Sequence, residues 1–499
     1  MSENELPQSR YTKRNLIGLI LGPSLFLLAY FLIPESELSH EPRVVLATTM
    51  LVATFWVTEA IPLAAASLVP LVLIPAFRGA EIETIAPAYS DPTIFMYGGG
   101  FVIALAIEKW NLHRRIALSV IQMIGSQSHR ITLGIIISTA MISMFVSNAA
   151  TALMMLPVAI ALITEVKEKE IFTGKNLDNF SKGILLSVAY AATIGGLATL
   201  VAAVPNAVLA GIVNNQLDRT ITFLDWLIFA GPVALVMLIV LYFYLTRLQF
   251  KVNVSPDEQP SLDFIQEDKK ALGPFNRNEG MVTIAFCITV FFWVFKGAID
   301  WLFASFMGIQ LGLEENLHDG TIAVFGALLL FFLPSTEKGE RILEWEDMKR
   351  LPWGVLILFG GGLALAEGFS SSGLNDWIGE TLQLLEQFSF IIIILLLVTI
   401  VLGITEILSN TAVANLVIPL TVGMGIAIGI DPLPLMAAAA LSAGSCYMLP
   451  VATPPNAAVF SAGVLHIGDM ARAGVWLNLF SIIVITLAVY FWMPIAFNL

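Results

Sequence analysis

The sequence predicts an all-α, polytopic membrane protein built from two inverted-topology repeats. Of its 499 residues, 57% are hydrophobic and only 13% are charged, whereas soluble domains contain about 25% charged residues. Apolar runs of about 20 residues, long enough to cross a bilayer as a helix, recur along the chain. Landmark motifs of the first half also return in the second half. We therefore predict about eleven transmembrane helices plus two shorter re-entrant helical hairpins.

Helices are expected because lipid offers no partners to backbone N–H and C=O groups, which an α-helix satisfies internally. The net charge of −13 argues against a nucleic-acid partner. The sequence contains no CxxC, HExxH, GxxxxGK[ST] or GxSxG motif, and its five histidines are scattered. We therefore expect neither an enzyme nor a cofactor-binding protein. Cys287 and Cys446 lie in apolar runs and are expected to be buried thiols rather than a disulfide.

The chain divides into four predicted segments. Residues 1–43 contain a basic stretch with Arg10, Lys13 and Arg14, followed by the apolar run NLIGLILGPSLFLLAYFLI. We interpret this run as the first transmembrane helix, because it is too long for a signal peptide. Residues 44–249 form the first predicted repeat and residues 281–499 the second. Residues 250–280 form the most polar internal stretch and are predicted to be a solvated linker.

The evidence for a duplication is a set of motifs in the same order. Each half contains a triple glycine, in FMYGGG and LILFGGG, and an S-N-x-A motif begins 49 residues after the first of these glycines, at Ser147 and Ser409. A proline follows each serine after ten residues. The motifs AAVPNAV and ATPPNAA come next, at unequal spacing, and indicate helix breaks or proline kinks.

Basic residues indicate that the repeats are inverted. The loop after the first triple glycine, EKWNLHRR, contains three Lys or Arg residues, whereas the corresponding EGFSSSGLNDWIGE contains none. Because Lys and Arg collect in cytoplasmic loops, these loops are expected on opposite sides of the membrane, with a cytoplasmic N-terminus. Inverted repeats are typical of secondary transporters. An anion channel is the alternative, and an intramembrane enzyme would need catalytic groups that the sequence does not show.

The two Ser-Asn motifs interrupt apolar runs, in SMFVSNAATALMMLP and ITEILSNTAVAN. We expect helical arms of about fifteen residues or fewer on each side, too short to cross a bilayer, so that each motif forms a hairpin tip. The carbonyls that end one arm suit a cation, and the N–H groups that begin the next suit an anion. Simple helix packing is the competing interpretation. Glu59 and Glu406 are possible proton carriers or interfacial carboxylates.

These residues resemble the divalent anion/sodium symporter family, whose members move di- and tricarboxylates. The similarity rests on Ser409-Asn410-Thr411, on Thr453-Pro454-Pro455-Asn456, and on the stretches VTEAIP, EKWNLHRRIAL and LPWGVLILFGGGLALAEG. The resemblance implies a homodimer in the cell membrane, with a scaffold domain and a mobile transport domain in each protomer. It also implies elevator-type transport of C4 or C5 dicarboxylates such as succinate, malate or 2-oxoglutarate.

The resemblance further implies which residues bind the transported species. The implied dicarboxylate site consists of Ser147, Asn148, Ser409, Asn410, Thr411, Thr453 and Pro454. One sodium ion would bind at Ser143, Ser147 and Asn148, and a second at Thr405, Asn410 and Ala452. The first half departs from the family pattern, with Ala149 in place of Thr and Ala202-Ala203-Val204-Pro205 in place of Gly-Ser/Thr-Pro-Pro. Because these changes remove hydroxyls and weaken the first sodium site, we expect dicarboxylate exchange, with sodium symport as the alternative.

Overall fold

The computed structural model describes residues 12–498 except 126, 254–262, 308, 310–311, 337–338, 383–384 and 386. Within these residues every regular element is helical, and the only β contact is an isolated bridge between Pro334 and Arg341. Nine helical segments of the described chain are long and apolar enough to cross a membrane, and shorter apolar helices accompany them. The predicted all-α membrane protein is therefore confirmed. Arg10 and the centre of the predicted linker lie outside the described residues.

The helices of the first half begin with α1, which Thr12 caps in a reciprocal capping box with Asn15. Over the described residues these helices are α1 (Lys13–Leu32), α2 (His40–Thr58), α3 (Leu63–Ala66), α4 (Val69–Ala76), α5 (Ile82–Ile85), α6 (Pro92–Lys109), α7 (Leu112–Ile124), α8 (Ser128–Ser143), α9 (Asn148–Glu168), α10 (Gly174–Leu197), α11 (Val204–Gln216) and α12 (Phe223–Phe243). A single π-helical turn, Tyr244–Gln249, extends α12.

The second half begins within the predicted linker. Its helices, again over the described residues, are α13 (Asp263–Ala271), α14 (Arg277–Met307), α15 (Leu313–Asn316), α16 (Asp319–Phe332), α17 (Trp353–Ser372), α18 (Leu374–Thr381), α19 (Phe390–Thr405), α20 (Asn410–Ala427), α21 (Leu433–Ala443), α22 (Pro454–Phe460), α23 (Ile467–Leu487) and α24 (Met493–Ala496). Helix α13 packs against α7, where Arg114 pairs with Asp268 at 2.8 Å. The part of the linker that the structure describes is therefore partly helical and docked.

Helix boundaries repeat in the two halves. Helix α8 ends at Ser143 and helix α19 ends at Thr405, 262 residues later (405 − 143). The first residues of α9 and α20, Asn148 and Asn410, are separated by the same 262 residues. Helices α8 and α19 contain 16 residues each, about 24 Å at a rise of 1.5 Å per residue. Helix α9 has 21 residues and α20 has 18. The second arms are thus longer than predicted, and each continues well beyond its internal proline, Pro157 or Pro419.

Two helices are broken at matching positions. An unwound segment separates α10 from α11, and another separates α21 from α22. In each pair the second helix carries proline in its first turn, at Pro205 and at Pro454-Pro455. Proline suits this position because its φ is preset and no N–H is required there. The prolines therefore begin new helices, and the alternative of a simple kink is wrong.

The structure separates into two compact units that are each discontinuous in sequence. Unit 1 comprises the described residues within Met1–Asp91, Trp353–Glu386 and Pro419–Pro432, and unit 2 comprises those within Pro92–Pro352, Gln387–Ile418 and Leu433–Leu499. Each unit draws on both halves of the chain. Unit 2 contains both Ser-Asn motifs and both broken helices.

Within unit 1, helix α2 packs against α1, α4 and α17. The contact of α17 with the chain before α4 is close, because a Cβ at Gly361 would lie 2.5 Å from the Ser67 carbonyl oxygen. Glycine is therefore required there to let the two backbones meet.

Helix α10 forms the centre of unit 2. It packs against α8, α9, α12 and α22, and every residue from Gly183 to Leu197 is buried. Both cysteines are free thiols: Cys446 is buried as expected, whereas Cys287 on α14 is exposed, contrary to expectation. The reason is that α14 leaves most of its apolar surface uncovered by the described protein, as expected of a helix that faces lipid.

Candidate functional site

The first Ser-Asn motif forms a tip between α8 and α9. Ser147 caps α9, and its Oγ accepts a hydrogen bond from the Ala150 N–H at 3.4 Å. The Oγ of Ser143, at the end of α8, lies 2.9 Å from Asn148 Oδ1 and 2.6 Å from the Ala192 carbonyl oxygen. Because a hydroxyl has only one proton to donate, these contacts are alternatives. Three neutral oxygen atoms therefore lie close together beside this tip, and oxygens of this kind are ligands that suit a hard cation.

The second tip, between α19 and α20, repeats this arrangement. The Oγ1 of Thr405 lies 2.8 Å from Asn410 Oδ1 and 3.1 Å from the Ala443 carbonyl oxygen. Ser143 and Thr405 are both completely buried. The structure thus brings together the hydroxyl and the amide that the resemblance assigns to each cation site. The main-chain carbonyls of Ala192 and Ala443 were not predicted, because nothing in the sequence links them to the tips.

The amide of each tip lies against a different residue. A Cβ at Gly196 would lie 2.0 Å from Asn148 Oδ1, so only glycine leaves room for this asparagine. At the second tip the Sγ of Cys446 donates to Asn410 Oδ1 at 3.1 Å. The sequence analysis did not predict the contacts of Gly196 and Cys446 with the tips. The only sequence feature that pointed to such a contact was the pair of small residues Gly195 and Gly196.

Two buried asparagines stabilise the unwound segments. The Nδ2 of Asn206, which has two protons to donate, lies within hydrogen-bond distance of three main-chain carbonyls, the nearest being that of Thr199 at 2.8 Å. The Nδ2 of Asn456 donates to the Leu449 carbonyl at 3.0 Å. These bonds satisfy carbonyls that a continuous helix would have satisfied itself. The Pro-Asn motifs therefore combine a helix start with a support for the broken backbone before it.

The two broken helices differ in their N-caps. Thr453 caps α22, with its Oγ1 accepting from the Asn456 N–H at 3.2 Å. Ala203 occupies the N-cap of α11 and provides no side-chain oxygen. Loss of such a cap costs about 1 kcal/mol. The first-half departure noted in the sequence thus removes a capping hydroxyl, while the oxygen atoms around Ser143 remain in place.

Unit 2 packs the two halves crosswise. Helix α22 lies against α9 and α10, and α11 lies against α21. The rings of Tyr190 and Tyr447 meet edge to face at 5.4 Å. Unit 2 therefore contains all the predicted site residues, namely Ser143, Ser147, Asn148, Thr405, Ser409, Asn410, Thr411, Ala452, Thr453 and Pro454.

Glu406 is an acidic residue next to the second tip, whereas basic residues are absent from the sequence around the first. No Lys or Arg occurs between residues 131 and 166 or between residues 183 and 218. Glu406, directly after Thr405, is buried, and main-chain N–H groups donate to its carboxylate. A ligand at the tips therefore meets hydroxyls, amides, helix ends and main-chain carbonyls rather than basic side chains.

Membrane-length helices, paired tips and broken helices define a polytopic membrane fold, and two solved transporter structures share it. The YdaH transporter of Alcanivorax borkumensis matches with a TM-score of 0.55 and 13% identity, over 91% of this chain and 98% of that one. MtrF of Neisseria gonorrhoeae, from a class described as antimetabolite efflux pumps, matches with a TM-score of 0.55 and 13% identity, over 94% and 97%.

The chain belongs to the family described as "sodium:sulfate symporter transmembrane region", whose model matches residues 14–498. It is similar to the sodium-dependent dicarboxylate transporter SdcS of Staphylococcus saprophyticus, with 42% identity over 98% of this chain and 94% of that protein. The protein of the same name from Staphylococcus aureus NCTC 8325 is 41% identical over 98% of this chain and 93% of that protein. The family suggested by the motifs is thereby confirmed.

Proposed function

We propose that this protein is a secondary active transporter of C4 or C5 dicarboxylates that is coupled to sodium. The observation that carries the proposal is the pair of matched oxygen clusters, Ser143–Asn148–Ala192 and Thr405–Asn410–Ala443. The protein would work as a homodimer in the plasma membrane, with a cytoplasmic N-terminus and an elevator-type movement. Succinate, malate and 2-oxoglutarate are the proposed substrates.

The proposed dicarboxylate site uses neutral ligands from both tips. Ser147 and Asn148 begin α9, Asn410 and Thr411 begin α20, and Thr453 caps α22. Helices α9 and α20 direct free N–H groups and the positive ends of their dipoles toward their first residues. Helix α22 begins with two prolines, which have no N–H, so Thr453 would contribute its hydroxyl. Ser409 and Pro454 complete the set that would contact the two carboxylates. Neutral groups of this kind hold an anion without binding it so tightly that release becomes slow.

Sodium provides the missing positive charge. A dicarboxylate brings two negative charges into a region without Lys or Arg, and uncompensated charge is costly in a low-dielectric interior. Hydroxyl, amide and carbonyl oxygens are hard ligands that suit alkali and alkaline-earth cations. Sodium ions bound at the two oxygen clusters would lie beside the substrate and offset its negative charge. We therefore expect the carrier loaded with both substrate and sodium to cross the membrane more readily than one holding substrate alone.

The relatives favour symport over the exchange that the first-half substitutions led us to expect. Both named relatives are sodium-dependent dicarboxylate transporters. The replacement at Ala203 removes a helix cap, but Ser143 Oγ, Asn148 Oδ1 and the Ala192 carbonyl still converge. The predicted weakening of the first cation site therefore affects its surroundings rather than its ligands.

Uptake by proteoliposomes tests the proposal. Labelled succinate uptake is measured with an inward sodium gradient, with potassium replacing sodium, and after preloading with unlabelled succinate. We expect uptake that requires sodium and saturates with succinate. Uptake that requires preloading but not sodium would establish exchange, and unsaturable, voltage-driven flux would establish a channel. Absence of succinate, malate and 2-oxoglutarate uptake in all three conditions would refute the dicarboxylate assignment.

A further inference from the structure

Glu406 is a buried carboxylate at the second tip, with 6% of its surface exposed. Its Oε1 accepts hydrogen bonds from the main-chain N–H groups of Tyr447 at 2.8 Å and Met448 at 3.1 Å. Its Oε2 accepts from Met448 at 3.1 Å and Leu449 at 3.3 Å. On α23, the Nδ2 of Asn478 donates to Oε1 at 2.6 Å. Both oxygens are therefore occupied by donors.

The three main-chain donors belong to the unwound segment between α21 and α22. A segment of this kind lacks helical partners for its N–H groups, and a buried unpaired N–H is destabilising. Hydrogen bonds to a carboxylate are about twice as strong as neutral ones. The same segment brings Cys446 to Asn410 and ends at Ala452 and Thr453. The carboxylate thus holds a backbone that forms one wall of the second tip.

The first half secures its tip without a charge. The position equivalent to Glu406 is Met144 (406 − 262), and the Thr199 hydroxyl donates to the Met144 main-chain carbonyl. The tips therefore share their oxygen clusters but differ in how the unwound segment is attached.

We propose that Glu406 is a positioning residue of the second cation site. It fixes the main chain of residues 447–449, so that the segment from Cys446 to Thr453 stays in place against the Asn410 amide. The assignment rests on the proposed sodium coupling for its functional consequence, whereas its structural part stands independently of that function.

Hydrogen exchange tests the structural part. Glu406→Gln replaces one acceptor oxygen with an amide group that faces the same N–H donors. In the purified full chain, exchange of the 447–449 amides is expected to become at least tenfold faster. Glu380→Gln, an exposed carboxylate near the end of α18, is the matched control and should match the wild type. Unchanged exchange in the Glu406→Gln protein would overturn the proposal.

Uptake kinetics test the functional part. Glu406→Gln should raise the sodium concentration for half-maximal succinate uptake at least tenfold, while the succinate KM at saturating sodium changes less than threefold. Glu406→Asp should remain impaired, because a side chain one methylene shorter cannot reach the amides of residues 447 and 449 together. Full recovery with Asp would show that charge alone matters and would overturn positioning. Unchanged sodium dependence in Glu406→Gln, despite faster exchange, would also overturn it.

Asn478→Leu provides a second variant if Glu406→Gln does not fold. This substitution removes the Asn478 amide donor, while the carboxylate of Glu406 keeps its hydrogen bonds to the main-chain N–H groups. We therefore expect the sodium concentration for half-maximal uptake to rise only about threefold. A wild-type sodium dependence for Asn478→Leu, together with wild-type exchange at 447–449, would contradict the proposal. If the wild-type protein shows no sodium-dependent uptake, the proposed function fails, and hydrogen exchange still decides whether Glu406 positions the segment.

Discussion

Replacing Gly196 with alanine is the sharpest test of the first oxygen cluster. The new Cβ would lie 2.0 Å from Asn148 Oδ1 and 2.7 Å from both other heavy atoms of the amide group, far inside van der Waals contact. The asparagine must therefore turn away, which separates its Oδ1 from Ser143 Oγ, now 2.9 Å distant. Folding of α10 itself should be unaffected, because alanine favours a helix over glycine.

The magnitude follows from two contributions. Loss of a neutral hydrogen bond costs about 1 kcal/mol, and forcing a side chain away from its rotamer costs about 1 kcal/mol. Together, about 2 kcal/mol corresponds to a roughly 30-fold change in a binding constant. We therefore expect the sodium concentration for half-maximal succinate uptake to rise by about this factor.

The assay is sodium-dependent succinate uptake in proteoliposomes, with size-exclusion chromatography and thermal melting to confirm folding. Gly183→Ala in the same helix is the matched control, because the nearest atom to its new Cβ is Phe250 Cβ at 3.5 Å, an ordinary contact. Gly183→Ala should transport like the wild type. A Gly196→Ala protein with wild-type sodium dependence would refute the assignment of Asn148 to a cation site.

Three further predictions concern the tips, a buried ion pair and a histidine. Asn148→Ala and Asn410→Ala should each abolish uptake with little loss of thermal stability, and normal uptake in both would favour a packing role. Lys296 and Asp319, 2.7 Å apart and 7% and 4% exposed, form a buried pair; Lys296→Met should destabilise the protein by about 3 kcal/mol, seen as a lower melting temperature that the double variant with Asp319→Leu partly restores. An unaltered melting temperature in the single variant would contradict this. Burial lowers the pKa of His113 in α7 from its usual 6.5, partly opposed by the Ile107 carbonyl. Because the unfolded chain then binds more protons than the folded one, the contribution of His113 to stability should be full above pH 6.5 and be lost below it. The melting temperature of the wild type should therefore fall more steeply with acid than that of His113→Gln. Equal acid sensitivity of the two proteins would disprove the effect.

Composition and motif spacing were sufficient for the architecture. The content of apolar residues required helices, since lipid leaves the backbone no other partners. The shift of 262 residues between the tips (409 − 147) is present in the sequence, and helix boundaries follow it because the flanking residues are equivalent. The second hairpin arms were predicted too short: α9 has 21 residues and α20 has 18, against an expected length of about fifteen or fewer. The predicted inversion of the repeats and the scaffold and transport domains stay predictions.

Tertiary packing decided the chemistry of the tips. Ser143 meets a carbonyl 49 residues away, and Glu406 binds N–H groups that begin 41 residues away. Main-chain N–H and C=O groups are the same at every residue except proline, so no side-chain pattern marks which of them will be brought to a tip. The sequence by itself therefore determined that two polar tips exist and which side chains they contain. Only the folded packing of α10 and the unwound segments determined which backbone atoms complete them.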